Sequence, residues 1–127
     1  MVDALEIYCQ KFIEKSEENY KLYEFLSKEG KFLEWQIVAI FYSALCLAKA
    51  YLYKKGIPIN SINSHDNVKF YLASEKNCKS LGIIKYYDVL YSYGREARYL
   101  NRKMSVNKLD TALKNYKIVK ELLMKNY

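Results

Sequence analysis

The chain contains 127 residues, of which 51% are hydrophobic and 28% are charged, and its formal net charge is +7. This length and balance are typical of one soluble globular domain, spanning residues 1–127, that buries a core without disulfides or structural metal. Four glycines and one proline are too few for the many turns of an all-β fold, so the composition favours an all-α protein.

Residues 3–28 have the sequence period of an amphipathic helix, which Gly30 is expected to end. Apolar and small polar residues recur at steps of three and four, and mainly glutamate and lysine fill the positions between them. The recurring positions are Leu5, Tyr8, Cys9, Phe12, Ser16, Asn19, Tyr23 and Leu26. The pattern predicts one buried stripe and one side that faces solvent.

Residues 32–55 contain the most apolar segment of the chain, WQIVAIFYSALCLAKAYLY. Its uncharged part, from Trp35 to Ala48, is shorter than the ~20 residues that cross a bilayer, and Lys49 interrupts it. We therefore expect a core helix. Its many small residues allow close packing on more than one side, either by three helices of the same chain or by helices of the chain together with a second subunit.

The segment KKGIPINSINSHDN is the clearest break in the helical pattern. Gly56 is expected to stop the second helix, and Pro58 prevents the helix from resuming. A third helix is predicted over residues 65–79, with either Asn63 or Ser64 as its N-cap.

Two further helices are predicted after Gly82, over residues 83–102 and from Ser105 or Asn107 to about residue 125. Their apolar seams are Ile83, Tyr87, Leu90, Gly94 and Ala97 in the first, and Leu109, Ala112, Tyr116, Val119 and Leu123 in the second. Because the connections are short, neighbouring helices should be antiparallel. The sequence thus predicts an all-α, antiparallel up-and-down bundle of four to five helices.

The stretch YSYGREARYL, residues 91–100, supplies most of the candidate functional side chains. Arg98 flanks the apolar seam of the fourth helix, and Arg95 lies on a more exposed stripe. Around them are Tyr91, Tyr99 and Arg102. Two interpretations are open: the arginines stabilise a helix C-terminus and stack on tyrosines, or their planar, permanently charged guanidinium groups bind RNA phosphate.

His65 is the only histidine of the chain. In an up-and-down order, the end of the second helix, the start of the third, the end of the fourth and the start of the fifth share one end of the molecule, which places His65 near the arginines. Metal-free RNA cleavage needs a proton carrier beside the 2′-hydroxyl and a fixed cation on the phosphate. His65 with Arg95 or Arg98 meets that requirement; alternatively, His65 is a structural residue at a helix N-terminus, where the dipole disfavours its charged form.

The positive charge is concentrated in the later part of the chain. Residues 1–34 hold eight acids and five bases, whereas residues 35–127 hold six acids and sixteen bases. Such a distribution predicts a basic face that meets phosphate or an acidic partner protein, or else a solvated lysine-rich surface. Many of the fourteen tyrosines either stack on unpaired bases or pack in the core and at a subunit interface.

No motif in the sequence indicates a cofactor or a metal. Cys9, Cys46 and Cys78 are odd in number and widely spaced, which favours free thiols in a reducing compartment. A Gly-rich phosphate loop and a Gly-x-Ser-x-Gly turn are both missing. The first residues, MVDALEIYCQ, lack the basic and apolar regions of a leader, so we expect a cytoplasmic protein without a membrane partner.

The segments FYSALCLAKAYLYKKGIPINSINSHDNV and LYSYGREARYLNRKMSVNKLDTALKNYKIVKELL resemble the HEPN family of small helical bundles. These bundles are found in prokaryotes and are often encoded beside a minimal nucleotidyltransferase. The resemblance covers roughly residues 35–123 and depends on the order and spacing of short motifs. Those motifs are the aromatic-Ser-Ala start of the second helix, the Gly56 and Pro58 loop to Ser64 and His65, the pattern Tyr91, Arg95, Ala97 and Tyr99, and the Ser105-Val106 turn.

The resemblance implies a homodimeric module, and many HEPN proteins are suspected or known RNases acting as toxins that a nucleotidyltransferase neutralises. The family signature is an arginine followed four to six residues later by a histidine on one late helix. At that distance this chain has Tyr99, Leu100 and Asn101 after Arg95, and Arg102, Lys103 and Met104 after Arg98. We therefore expect a homodimer that binds a nucleotidyltransferase partner, RNA or both, as half of a toxin–antitoxin-type pair; RNA cleavage by His65 with Arg95 or Arg98 is the alternative.

Overall fold

The computed structural model describes residues 3–99 and 103–127, and every regular element in those ranges is helical. The elements are α1 (Ala4–Glu29), α2 (Leu33–Lys54), a 3-10 turn (Ile59–Ile62), α3 (His65–Ser74), α4 (Lys76–Leu81), α5 (Ile83–Tyr99) and α6 (Val106–Lys125). The prediction of an all-α fold is confirmed. Four of the helices are long, and α3 and α4 are short.

The antiparallel order of α1 and α2 follows from two contacts. The Cys9 thiol, near the start of α1, lies 3.6 Å from the carbonyl oxygen of Ala50, near the end of α2. Further along α1, the Ser16 hydroxyl lies 2.9 Å from that of Ser43. Gly30, at a φ of 63°, ends α1 as predicted.

Helices α5 and α6 complete the up-and-down bundle. Glu34, at the start of α2, accepts a hydrogen bond from the backbone N–H of Met104 at 3.4 Å, so α6 begins at the same end as α2. Near that end, Lys108 of α6 forms an ion pair of 2.9 Å with Glu96, close to the end of α5. Since α5 ends where α6 begins, the two are antiparallel.

Helix α2 is the centre of the bundle, and α1, α5 and α6 all pack against it. From Gln36 to Leu52 most of its side chains are buried. By length and composition α2 could cross a membrane, since its most apolar 18-residue segment has a mean hydropathy of 1.4. However, 83% of that segment is buried inside the bundle. Three helices of the same chain therefore cover α2, and its burial requires no second subunit.

The predicted third helix is divided at Glu75, whose backbone is extended at φ −63° and ψ 139°. The Glu75 carboxylate accepts the backbone N–H of Cys78 at 2.9 Å and the hydroxyl of Tyr51 at 3.1 Å. The Glu75 side chain therefore caps α4, and its hydrogen bond to Tyr51 joins the break between α3 and α4 to α2. At the other end of α3, the N-cap is Ser64, whose hydroxyl accepts the backbone N–H of Asn67 at 3.2 Å.

The position of α3 corrects one predicted relationship. The His65 ring, at the start of α3, lies 5.4 Å from that of Phe41 in the first half of α2, whereas Glu75, after α3, bonds to Tyr51 near the end of α2. The loop between α2 and α3 thus carries the chain back along α2 before α3 begins. The expectation that α2 and α5 end at the same end of the molecule is wrong, because α5 runs antiparallel to α2 and ends beside its start.

Candidate functional site

The candidate site is built around the ring of Phe41, a residue of α2 with 0% of its surface exposed. The ring centroid of His65 lies 5.4 Å away, that of Tyr91 lies 5.9 Å away, and the Arg98 Cζ atom lies 5.3 Å away. Three of the predicted site residues, from α3 and α5, therefore meet on one aromatic ring. We call Phe41, Tyr42, His65, Tyr91 and Arg98 the Arg98 cluster.

Gly94 allows α5 to pack closely against α2. A Cβ atom at Gly94 would lie 3.0 Å from Cγ of Phe41, which is tighter than ordinary van der Waals contact. Glycine therefore lets the α5 backbone lie directly on the Phe41 ring. Because Arg98 is one turn further along α5, the same approach brings its side chain over α2.

Arg98 is half-buried, and its guanidinium group is held from several sides. Nε donates to the carbonyl oxygen of Gly94 at 3.2 Å, and Nη1 donates to the hydroxyl of Tyr42. The Cζ atom also lies 5.1 Å from the ring centroid of Tyr42 and 4.7 Å from that of Tyr99. In residues 3–99 and 103–127, the ion pairs join Lys69 to Asp88 and Lys108 to Glu96, so no described carboxylate neutralises Arg98.

Tyr91 connects the Arg98 cluster to a second group of cations. Its hydroxyl accepts a long hydrogen bond of 3.5 Å from Nη1 of Arg95, which is exposed as predicted. Nζ of Lys69 lies 4.6 Å from the Tyr91 ring centroid and 3.0 Å from a carboxylate oxygen of Asp88. Arg95 therefore adds a positive charge beside the cluster, whereas Asp88 balances the charge of Lys69.

His65 is half-buried at the inner side of the cluster, and its ring lies 5.8 Å from that of Tyr91. Its Nδ1 atom is buried without a hydrogen-bond partner among the described residues. Burial, followed by the positive charges of Arg98 and Lys49, lowers the pKa of His65 below its ordinary value of 6.5, although Asp66 acts in the opposite direction. The imidazole is therefore neutral near pH 7 and able to accept a proton.

The arrangement has side chains that could bind an anion. A fixed guanidinium, a neutral imidazole and the exposed ring of Tyr99 are suited to a phosphate ester and its base. Within the part of the chain that the structure describes, no group of three or more His, Cys, Asp and Glu residues is placed to hold a metal. Of the predicted binding residues, Tyr91 and Tyr99 contact the arginines, whereas Arg102 lies outside the described residues.

The sequence analysis missed Phe41 and Tyr42 as site residues, along with Lys49 and Lys69. Phe41 and Tyr42 belong to the apolar run of α2, where an aromatic residue predicts core packing and nothing more. The one available signal was the hydroxyl of Tyr42, because a tyrosine in a core helix usually has a polar partner. That partner, Arg98, could not be identified from spacing.

Comparison with protein families shows the family of the chain. The family model described as HEPN domain matches residues 9–127. The chain belongs to the HEPN domain family. The HEPN match begins inside α1 and so includes the whole Arg98 cluster; HEPN domains are helical modules that often bind or cleave RNA, and they commonly form dimers. A search of curated proteins found no match, and neither did a search of solved structures.

Proposed function

We propose that this HEPN chain is a dimeric helical module that binds RNA at the Arg98 cluster. The observation that supports the proposal is the half-buried guanidinium of Arg98, which has no carboxylate partner among the described residues. A charge removed from water without a counter-charge is unfavourable, so an anionic ligand at this position would stabilise both partners.

Phosphate is the anion that best fits Arg98. The guanidinium group has five N–H donors, of which Gly94 and Tyr42 accept one each, so three remain for a ligand. They lie in one plane, which matches two oxygens of a phosphate group. Arg95, beside the cluster, supplies a longer-range attraction toward a polyanion, whereas the charge of Lys69 is balanced by Asp88.

We extend this proposal to the protein partners of the chain. We infer a homodimer in the cytoplasm that binds a minimal nucleotidyltransferase as half of a toxin–antitoxin-type pair. The support is the family and the charge distribution: residues 1–34 are acidic and the remainder is basic, so different surfaces suit a protein partner and RNA. Sedimentation over a wide range of concentrations and co-purification with a nucleotidyltransferase test these two interactions separately.

Fluorescence anisotropy with a labelled RNA tests the binding site. We expect Arg98→Gln to weaken binding by about 10-fold, since a charge-assisted contact to phosphate contributes roughly 1–3 kcal/mol. Lys79→Gln is the matched control, because it removes the same charge from an exposed position of α4, away from the cluster. Equal affinities for the two variants, with both folded by circular dichroism, would contradict the assignment.

A second candidate function, metal-independent RNA cleavage, is favoured by the contact of His65 and Arg98 with the same Phe41 ring. A neutral His65 would take the proton of the 2′-hydroxyl as its oxygen attacks phosphorus. Arg98 or Arg95 would stabilise the negative charge that develops on the phosphate oxygens, and a water molecule would donate a proton to the departing 5′-oxygen.

Incubation with RNA in EDTA tests cleavage apart from binding. If this HEPN chain is an RNase of this type, we expect products with a 2′,3′-cyclic phosphate, and at least 100-fold slower cleavage by His65→Gln. Cleavage that persists in both His65→Gln and Arg98→Gln would assign the activity to other residues or to a contaminant. RNA bound without cleavage would leave the binding module as the function.

A further inference from the structure

The described side chains include several large apolar groups that are more than half exposed, and most of them lie at one end of the bundle. They are Phe25 (64%), Phe32 (55%), Trp35 (62%), Tyr99 (69%) and Val106 (60%). This is the end where α1 leads into α2 and α5 leads into α6. We call these five residues the bundle-end patch.

The segments that contain Phe32, Trp35, Tyr99 and Val106 carry more basic than acidic residues. Residues 28–35, 95–99 and 103–108 contain six lysines and arginines against three glutamates, so these segments carry a net charge of +3. One of the cations, Lys108, is paired with Glu96. Exposed aromatic rings next to an excess of positive charge are the composition of a surface that binds single-stranded nucleic acid.

Helical register connects the bundle-end patch to the Arg98 cluster. Trp35 precedes Tyr42 by seven residues of α2, which is close to two turns, so the two residues lie on the same face of the helix, about 10 Å apart along its axis. Tyr42 in turn accepts a hydrogen bond from Arg98. With about 3.4 Å per stacked nucleotide, about three nucleotides cover the distance from Tyr42 to Trp35.

Phe32 stands at a position where its side chain does not favour stability. Its backbone is left-handed, at a φ of 60°, which is unfavourable for any side chain with a Cβ atom. It is also the N-cap of α2, where it makes no side-chain hydrogen bond. Glycine or asparagine would suit this position better, so an exposed phenyl ring at this site indicates a role in binding.

We propose that the bundle-end patch is a stacking surface for the unpaired bases of RNA, with Trp35 as its main ring. This inference depends on the proposed function, because the phosphate of the same strand is held by Arg98. The ligand is thus single-stranded RNA rather than a duplex, whose bases are stacked on one another and closed to an aromatic side chain. A purely apolar protein partner is a poorer match, since it would leave the neighbouring lysines and arginines without counter-charges.

Trp35 is the single tryptophan of the chain, so its fluorescence measures stacking directly. We expect single-stranded RNA to quench the Trp35 emission, with the same midpoint as anisotropy of the labelled RNA. A duplex of the same composition should leave the emission nearly unchanged. Because Trp35 is 62% exposed in the free protein, its emission reports on this surface and not on the core.

Two variants separate stacking from folding. Trp35→Ala is expected to weaken the binding of single-stranded RNA by about 10-fold, the loss of one base stacked on an aromatic ring. Phe32→Gly should weaken binding while leaving the thermal midpoint equal or higher, because it relieves the left-handed backbone. Phe70→Ala is the matched control, since Phe70 is 63% exposed on α3, outside the patch.

Each outcome has a defined meaning. If Trp35→Ala binds as tightly as the parent protein and the Trp35 emission does not respond, while Arg98→Gln still weakens binding, the stacking surface is refuted and RNA binding at Arg98 remains. If the parent protein binds no RNA, the proposed function fails and the inference fails with it. If the Trp35 emission changes on dilution of the protein without RNA, the patch is an interface between two copies, which also overturns the proposal.

Discussion

Arg98 and Tyr42 stand 56 positions apart in sequence, and a hydrogen bond joins the guanidinium of one to the hydroxyl of the other. Tyr42 also presents its ring to the guanidinium, at 5.1 Å from Cζ. The direction of Arg98 is therefore set by a residue of a different helix. Without Tyr42, the arginine would lose an acceptor and a stacking partner together.

Tyr42→Phe tests this relationship, since it removes the hydroxyl and keeps the ring. We expect the free energy of unfolding to fall by about 1 kcal/mol, because the bond involves a charged donor but is only partly buried. RNA affinity should fall by several-fold as Arg98 loses its fixed direction. Urea unfolding and fluorescence anisotropy measure the two effects. If stability falls by the expected amount and RNA affinity does not change, Tyr42 does not orient the binding group.

Gly94→Ala is expected to destabilise the protein even though alanine favours helices over glycine by about 1 kcal/mol. The added methyl group would lie 3.0 Å from the Phe41 ring, which is fully buried. Overpacking of this kind costs about 1–3 kcal/mol, so we expect a net loss in urea unfolding. Ser92→Ala, at an exposed position of the same helix, is the control and should not destabilise. A Gly94→Ala protein as stable as the parent would show that α5 can shift away from α2.

The buried hydroxyls of Ser16, Ser43 and Tyr116 tie α1, α2 and α6 together. Ser43 Oγ lies 2.9 Å from Ser16 Oγ and 2.8 Å from the Tyr116 hydroxyl. Ser43→Ala leaves the Tyr116 hydroxyl without this partner, which should cost about 1–3 kcal/mol. A double-mutant cycle with Tyr116→Phe is expected to give a coupling of about 1 kcal/mol. Strict additivity of the two changes would exclude a stabilising bond between them.

The lowered pKa of His65 predicts a pH dependence of stability. The folded protein binds a proton at His65 less readily than the unfolded chain, whose histidine has an ordinary pKa of 6.5. As the pH falls below about 6.5, the unfolded chain takes up the proton first, so the free energy of unfolding decreases until the folded pKa is passed. Above about 6.5 this contribution is fully present. His65→Gln should flatten the profile between pH 7.5 and pH 5.5, as measured by urea unfolding, and equal slopes for the two proteins would contradict the assignment.

Apolar periodicity predicted the buried side of α6 without error. Leu109, Ala112, Tyr116, Val119 and Leu123 are all buried. The prediction succeeded because each turn of a helix places the residues three and four positions apart on the same side, whatever covers them. The same argument correctly gave four members of the α5 seam, Ile83, Tyr87, Leu90 and Gly94.

In α1 the same period was less informative. Leu5 and Tyr8 belong to the predicted stripe but are 36% and 44% exposed, and the buried residues of α1 are Cys9 and Ser16. The reason is that α1 lies on the outside of the bundle and packs mainly against α2. A sequence period indicates which side of a helix faces inward, and the number of covering helices is a property of the assembled bundle.

The sequence by itself determined the helices and their inward sides, the ends marked by Gly30 and Gly82, and the family resemblance, because these depend on residues within a few turns of one another. Only the tertiary structure decided how the candidate site is composed. The break at Glu75 and the returning loop before Ser64 place His65 against Phe41, and the packing of α5 on α2 gives Arg98 the hydroxyl of Tyr42. Such contacts depend on the relative positions of whole helices, which hydrophobic packing between distant segments determines and local sequence period does not.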